Sequence, residues 1–421
     1  AYLNGDLDEK IYMEPPECLE EILMDMVDNE EGEIQEAAWT MLNDMREGKN
    51  YCRLRKSLYG LKQSGRQWYL KLDEKLKKLG LKPSKSDPCV YTLDKGTEDV
   101  VILTIYVDDL CLASKNLSKL NTLKAKLKEE CKMKDMGRIH YCLGLEFKYE
   151  PEEGVMHISQ RKYAQEILKR FKMESCKPLS TPLDVNVKFG EPENSQNSEE
   201  SNLPYRNLIG SLMYLTMGSR VDITYAVNFL SQFNSKFSEV HWKAAKRVLR
   251  YLQGTLDYKL TYRKIQDTLI GYVDADWGNC NLDRRSYSGY VFTLAGAAVT
   301  WASKKQRTVA LSSVEAEYLS MSEAVKEALY LRRLLEDMGF PSEGPTRLYN
   351  DNQGAQMLIA NPVYHSRTKH IDIRNQFIKQ SVDDNFVEIK YLKTDEMPAD
   401  FLTKPLSREK MLFCSQMSGV G

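Results

Sequence analysis

Two sets of carboxylates stand where they could handle divalent metal and phosphate. The first is Asp108 and Asp109, adjacent in Tyr106-Val107-Asp108-Asp109. Side-by-side carboxylates repel unless they are solvated or bridged by cations. Hard oxygen donors of this kind suit Mg²⁺, which keeps coordination positions open for phosphate oxygens. Two such ions could activate a hydroxyl and stabilise a departing pyrophosphate. An exposed Asp-Asp turn is common, so the pair gains meaning only from the apolar runs around it.

The second set is dispersed. Asp274 lies in Tyr272-Val-Asp-Ala-Asp-Trp277, and Glu315 and Glu317 lie in Ser312-Ser-Val-Glu-Ala-Glu-Tyr318. Asp351 lies in Tyr349-Asn-Asp-Asn-Gln353, and Asp400 in Met397-Pro-Ala-Asp-Phe401. Any one of these acids could be a helix cap or a solvated side chain. Acids in strand, helix, strand, helix order can converge at one end of a sheet. Such a cluster suits two-metal hydrolysis of a phosphodiester. Glu315 and Glu317 are two residues apart on a helix, so both cannot serve equally. Asp276 reads as a supporting or structural group.

The elements that must hold these acids follow from periodicity. Residues 98–114 place two apolar runs around Asp108 and Asp109, which predicts a β-hairpin with carboxylates at its tip. Apolar spacing predicts an acidic helical insertion over 19–47, a basic helix over 66–79, and amphipathic helices over 117–130 and 161–172. Residues 204–262 read as mainly helical. Residues 269–273 read as a strand, 288–301 as a hairpin and 313–338 as a long helix. A strand at 346–349, a helix at 369–383, a strand at 387–392 and a short helix from 399 to 403 follow. Strands first, then alternating helices and strands, predict an α/β domain with a mixed sheet.

Composition sets the bounds. The chain has 421 residues, of which 42% are hydrophobic, enough for two or three domains. No apolar run is long enough to span a bilayer, and no secretory signal opens the chain. The nine cysteines are scattered singly, which argues against a disulfide framework or a zinc site and predicts buried thiols in a reducing compartment. Net charge is −1, but it is segregated. An acidic run at 17–50 precedes a basic, aromatic-bearing stretch at 51–86 that could track a phosphate backbone. Lys243, Lys246, Arg247 and Arg250 could add a basic stripe. No Gly-rich phosphate loop follows a strand, and no Ser-His-Asp arrangement is evident.

Several runs together resemble the copia (Ty1-type) reverse transcriptases. These are Ala1-Tyr-Leu-Asn-Gly-Asp-Leu7, Ile11-Tyr-Met-Glu-Pro15, Ser57-Leu-Tyr-Gly-Leu-Lys-Gln-Ser64, Arg66-Gln-Trp-Tyr69, Asp87-Pro-Cys-Val-Tyr91, Tyr106-Val-Asp-Asp109 and Tyr141-Cys-Leu-Gly-Leu145. The later runs Asp283-Arg-Arg-Ser-Tyr-Ser-Gly-Tyr290, Ser303-Lys-Lys-Gln306, Arg367-Thr-Lys-His-Ile-Asp372 and Ala399-Asp-Phe-Leu-Thr-Lys-Pro405 resemble that group's ribonuclease H. The resemblance implies an α/β and α+β multidomain chain: a partial polymerase palm and thumb, a helical connection, then a ribonuclease H-like mixed sheet with flanking helices. It implies a reverse transcriptase over 1–183 with the acidic insertion at about 17–50, a linker at 184–203, a connection at 204–265, a ribonuclease H domain at 266–405 and a tail at 406–421.

The same resemblance implies the sites. Asp108 and Asp109 match the metal-binding pair of the palm, with Tyr106 and Val107 beneath primer and template. Leu143 and Gly144 match the primer-grip turn, and Gln63 and Arg66 stand where template and nucleotide contacts cluster. Asp274, Glu317, Asp351 and Asp400 match the nuclease set, with Glu315 the alternative for Glu317. Arg367 and His370 are candidates for contacting hybrid phosphates. Mg²⁺ or Mn²⁺ is the implied cofactor. RNA template, DNA primer, RNA/DNA hybrid and dNTPs are the implied partners, with integrase and protease regions upstream and no membrane. The implied location is the cytoplasm, in a virus-like particle, or the nucleus, without secretion. The chain departs from the family at Gly65 for Pro, at Gln376 for His and in the length of 17–50. The family's third palm Asp precedes the Ala-Tyr-Leu-Asn-Gly run, so a chain beginning at Ala1 is expected to be a truncated polymerase with a complete nuclease. The alternative is a defective or co-opted transposon remnant that only binds nucleic acid.

Overall fold

The computed structural model describes residues 2–48, 51–187, 189–190, 203–278, 280, 282–360 and 369–421, with backbone alone at 358, 360 and 369–372. By packing, the chain forms two units: Ala1–Asp135 with Asp337–Gly339, and Met136–Glu336 with Phe340–Gly421. That division falls ahead of the 183/184 boundary expected for the polymerase segment. Of the expected linker, residues 188 and 191–202 lie outside the described residues.

In the first unit, strand β1 (Tyr12–Met13) pairs with β2 (Cys52–Arg53), and the chain between them forms helices α1 (Leu19–Asn29) and α2 (Glu33–Arg46). The helical stretch read over 19–47 is therefore a hairpin, broken at Gly32, whose φ of 69° is open to glycine at little cost. Leu23, Ala38 and Leu42 form a small core between the two helices. Next come α3 (Ser64–Lys78), β3 (Lys82–Pro83), β4 (Val90–Leu93), β5 (Val101–Tyr106), β6 (Asp109–Ser114) and α4 (Leu117–Glu130). The four strands form an antiparallel sheet in chain order. Alternation along β5 turns Val101, Leu103 and Ile105 inward. Helix α3 lays Trp68, Leu72 and Leu76 on them at four-residue spacing, and α4 adds Leu123 and Leu127. Asn116 caps α4 by accepting the Lys119 N–H at 3.0 Å.

In the second unit, β7 (Tyr141–Cys142), β8 (Leu145–Glu150) and β9 (Val155–Ser159) form an antiparallel sheet that β10 (Leu260–Arg263) completes. Residues 260–263 were expected inside the helical connection. The open edge of β9 recruits them as a strand instead, a long-range pairing that local periodicity does not report. Helices α5 (Arg161–Arg170), α6 (Tyr205–Gly218), α7 (Thr224–Ser231) and α8 (Glu239–Gly254) build the large core beside it.

Strands β11 (Ile270–Ala275), β12 (Tyr287–Leu294), β13 (Ala297–Lys305), β14 (Thr346–Asn350) and β15 (Val387–Tyr391) form a mixed sheet in the order β13-β12-β11-β14-β15. Pairings among β11, β12 and β13 are antiparallel, while β11–β14 and β14–β15 are parallel. Parallel neighbours need crossovers, supplied by α9 (Ser313–Met338) and by α10 (Gln353–Ala360) with α11 (Lys369–Asp383). Helix α9 sets Tyr318, Met321, Ala324, Val325 and Ala328 against Val273, Phe292 and Leu348 of the sheet.

The segment 406–421, expected as a tail, is packed structure. Helix α12 (Arg408–Met417) buries Met411 and Cys414, and Val420 bridges to Leu260. The short helix at the end is a 3₁₀ turn, Pro398–Leu402. The cysteines are free, but only Cys280 and Cys414 are buried, so most of the expected buried thiols are half-exposed or exposed. Among the described residues, no helix is long and apolar enough to cross a membrane.

Candidate active site

The first acid pair sits as the sequence predicts. Tyr106 pairs with Asp109 across β5 and β6, leaving Val107-Asp108 as a two-residue turn. Val107 takes φ 56°, a left-handed conformation that a β-branched side chain adopts only under constraint. One constraint is visible: the Trp68 indole N–H of α3 donates to the Val107 carbonyl. Tyr106, Asp108 and Asp109 are exposed. Among the described residues, no third acid, histidine or cysteine joins the two aspartates in a metal-sized group. Gln63 stands half-buried just before α3, and Arg66 is exposed in its first turn.

Leu143 and Gly144 form the turn between β7 and β8 in the second unit, with φ of 50° and 72°. Positive φ at both central residues is what a tight hairpin of this twist requires. The Tyr214 hydroxyl of α6 donates to the Leu143 carbonyl at 2.6 Å. A Cβ at Gly144 would lie 2.7 Å from that same oxygen, so only glycine lets the tyrosine reach the turn.

The dispersed acids do converge. Asp274 on β11, Glu317 on α9 and Asp351 just after β14 each bring one carboxylate oxygen within 4.8 Å of the others. Asp274 and Glu317 are buried, and Asp351 is half-buried. Asp400, buried in the 3₁₀ turn, stands beside Asp274 but outside that trio. Gly289, paired with Asp274 across the strands, admits this turn: a Cβ there would lie 2.7 Å from the Leu402 Cβ.

Hydrogen bonds fix the ring of acids. Asn350 Nδ2 donates to Glu317 Oε2 at 2.9 Å and to the Val273 carbonyl at 3.1 Å, tying β14 to α9 and β11. The Thr394 hydroxyl donates to Asp351 Oδ2 at 2.7 Å. The Thr403 hydroxyl donates to Asp274 Oδ2, and Ser320 Oγ donates to the Asp274 backbone carbonyl at 2.8 Å. Lys404 Nζ stands 2.6 Å from Asp400 Oδ1 and 3.5 Å from Asp274 Oδ2. Lys410 Nζ stands 3.2 Å from Asp400 Oδ2 and donates to the Thr394 and Asp395 carbonyls at 2.7 Å each.

Crowded, desolvated carboxylates resist ionising. Burial, then Asp274 and Asp351, drives Glu317 well above the usual carboxylate range. Burial and Asp274 raise Asp351 against the Thr394 hydrogen bond. The same two causes push Asp400 up to about 6 against the pull of Lys404 and Lys410. Burial disfavours the Lys404 charge, but Asp274 and Asp400 outweigh it and hold this lysine above its usual range. A site that concentrates hard oxygen donors at such electrostatic cost fits divalent Mg²⁺ or Mn²⁺.

The structure thus separates Glu317 from Glu315, which turns to the helix start and accepts the Leu311 N–H at 2.8 Å. Asp276 accepts the Tyr287 N–H and staples β11 to β12. The lysine and arginine stripe on α8 is largely engaged: Lys243 pairs with Glu239, Arg247 with Asp184, and Arg250 donates to the Lys177 carbonyl. Arg367 and the His370 side chain lie outside the described residues. Sequence reasoning missed Lys404, Thr403 and Asn350. The four-residue step from Asp400 to Lys404, and the place of Asn350 directly before Asp351, were the available signals.

Residues 34–185 match the family described as reverse transcriptase (RNA-dependent DNA polymerase). The whole chain is 38% identical over 426 residues to the retrovirus-related Pol polyprotein from transposon TNT 1-94 of Nicotiana tabacum, and spans 30% of that protein's length. Over 78% of the chain it is 31% identical to a transposon Ty5-1 protein of Saccharomyces cerevisiae, 98% of which it covers. A solved foamy viral protease–reverse transcriptase in complex with double-stranded DNA is 13% identical, with a TM-score of 0.46, over 82% of this chain and 52% of that one. The chain belongs to the reverse transcriptase family of copia-type retrotransposon Pol polyproteins.

Proposed function

We propose that the chain carries two phosphoryl-transfer centres of a retrotransposon: RNA-directed DNA polymerisation at Asp108-Asp109, and hydrolysis of the RNA strand of an RNA/DNA hybrid at Asp274, Glu317, Asp351 and Asp400. The observation that carries the second centre is the convergence of three carboxylates, from a strand, a helix and the residue just after a second strand, to within 4.8 Å. Divalent ions bound there would supply an activated water and charge neutralisation at the scissile phosphate. The chain's own residues do the positioning. Asn350 holds the Glu317 carboxylate and favours its charged form, Thr394 does the same for Asp351, and Thr403 anchors Asp274. In the first centre, Tyr106 and Val107 would meet primer and template, and Gln63 and Arg66 the template strand and nucleotide; in the second unit, the Leu143-Gly144 turn is a separate candidate for contacting the primer. Integrase and protease regions of the parent polyprotein are the proposed covalent partners.

The test is cleavage of an RNA/DNA hybrid in Mg²⁺ by the intact chain beside Asp351→Asn. The substitution keeps the shape of the side chain and removes its charge, so cleavage is expected to fall by two orders of magnitude or more, roughly the scale of removing a metal ligand. Equal rates would sink the nuclease assignment.

A second reading holds for the first centre, that of a remnant which binds nucleic acid without polymerising. It rests on the exposure of Asp108 and Asp109 and on the lack, among the described residues, of a third potential ligand beside them. Primer extension decides. Extension that Asp109→Asn abolishes supports the polymerase; retained hybrid binding without extension supports the remnant.

A further inference from the structure

We propose that Lys404 is a resident counter-cation of the nuclease centre: it holds Asp274 and Asp400 when no divalent ion is bound, and it competes with metal for them. This rests on the metal-binding reading of the four acids above. The ammonium spans the two carboxylates, 2.6 Å from Asp400 and 3.5 Å from Asp274, in the place where a cation shared by both would stand. The two acid side chains are only 4% and 2% exposed, whereas the Lys404 side chain is 28% exposed. A compact charge on a four-carbon stem can therefore withdraw toward water while the acids stay.

Lys410 differs. Its ammonium also faces Asp400, but two backbone carbonyls anchor it, so it braces the turn rather than exchanging. Asp351 also acts on Lys404 through its charge, and Thr403 shares Asp274 with it. Without Lys404, buried Asp274 would lose this ion pair and Asp400 would keep Lys410 alone, and buried charge with less compensation is destabilising. Metal would then meet an emptier and more negative site. The chain thus trades metal affinity for a folded metal-free state.

The experiment uses the full chain and Mn²⁺ alone as probe, with calorimetric titration and thermal melting. Lys404→Gln is expected to bind Mn²⁺ on the order of tenfold tighter, the scale of one nearby charge removed from a partly screened site. Its metal-free form should melt lower than the unsubstituted chain, and Mn²⁺ should raise its melting point by more. Lys404→Arg keeps the charge and should stay near the unsubstituted chain in both readouts. A Gln variant that folds only with Mn²⁺ is the same result in stronger form. Equal Mn²⁺ affinity in the Gln variant and the unsubstituted chain, or equal tightening in the Arg variant, overturns the competition. A Gln variant unfolded with and without Mn²⁺ also overturns it, making Lys404 a structural brace. If neither the unsubstituted chain nor the Gln variant binds Mn²⁺, the metal reading itself falls, and this proposal with it.

Discussion

At the scale of single residues, the carboxylate cluster proposed as a nuclease centre is held by neutral donors as well as by its acids. Asn350 is fully buried and divides its two N–H bonds between a strand carbonyl and the Glu317 carboxylate. Asn350→Leu would leave both acceptors without that donor at a cost of about 1–3 kcal/mol, measurable by urea melting. Loss of a group that orients a metal ligand is expected to weaken Mn²⁺ binding by about 10–100-fold. A Leu variant that binds Mn²⁺ as tightly as the unsubstituted chain would contradict this positioning role. The convergence of Asp274, Glu317 and Asp351 was legible in the sequence because strand-helix-strand order limits where such groups can meet. The donors were not, because Asn350, Thr403 and Lys404 are placed by contacts with residues remote in the chain, such as the 129 positions between Thr403 and Asp274.

At the scale of elements, periodicity located most helices and strands, since burial on one face imposes a period of 3.6 or 2. It failed where partners are remote or local rules are broken. Strand β10 exists because β9 has a free edge, and α12 because a large helical core accepts Met411 and Cys414. Gly289 lies in the Asp283–Tyr290 run, and its reason is the close approach of the Asp400 turn. Helix α8 shows a further consequence of local geometry. Its N-terminus is held by a reciprocal cap in which His241 Nδ1 accepts the Ser238 N–H at 3.1 Å. Burial lowers the His241 pKa from 6.5 to about 4, and the cap needs the unprotonated nitrogen. The folded state then binds fewer protons than the unfolded chain between these values, so stability falls as pH drops from 6.5 toward 4. His241→Gln keeps an acceptor that does not titrate, and its melting temperature should fall less steeply over that window. Parallel curves for the two proteins would contradict the assignment.

At the scale of the whole molecule, family membership was legible because ordered motifs run through nearly the entire chain, and the comparisons bear it out. The division into packed units was less so, because the chain changes unit within the region matched by the reverse transcriptase family. A net charge of −1 gives no hint of a nucleic-acid partner. What points to one is local: exposed acids on a constrained turn in one unit, and a carboxylate trio with two buried members in the other. The hydrolytic centre proposed at this trio takes Glu317, and not Glu315, as its helix-borne ligand. The most direct measurement is hybrid cleavage in Mg²⁺ by Glu317→Gln and Glu315→Gln side by side with the unsubstituted chain. Cleavage should be lost in the first and retained in the second. Retention in the first, or loss only in the second, would contradict it.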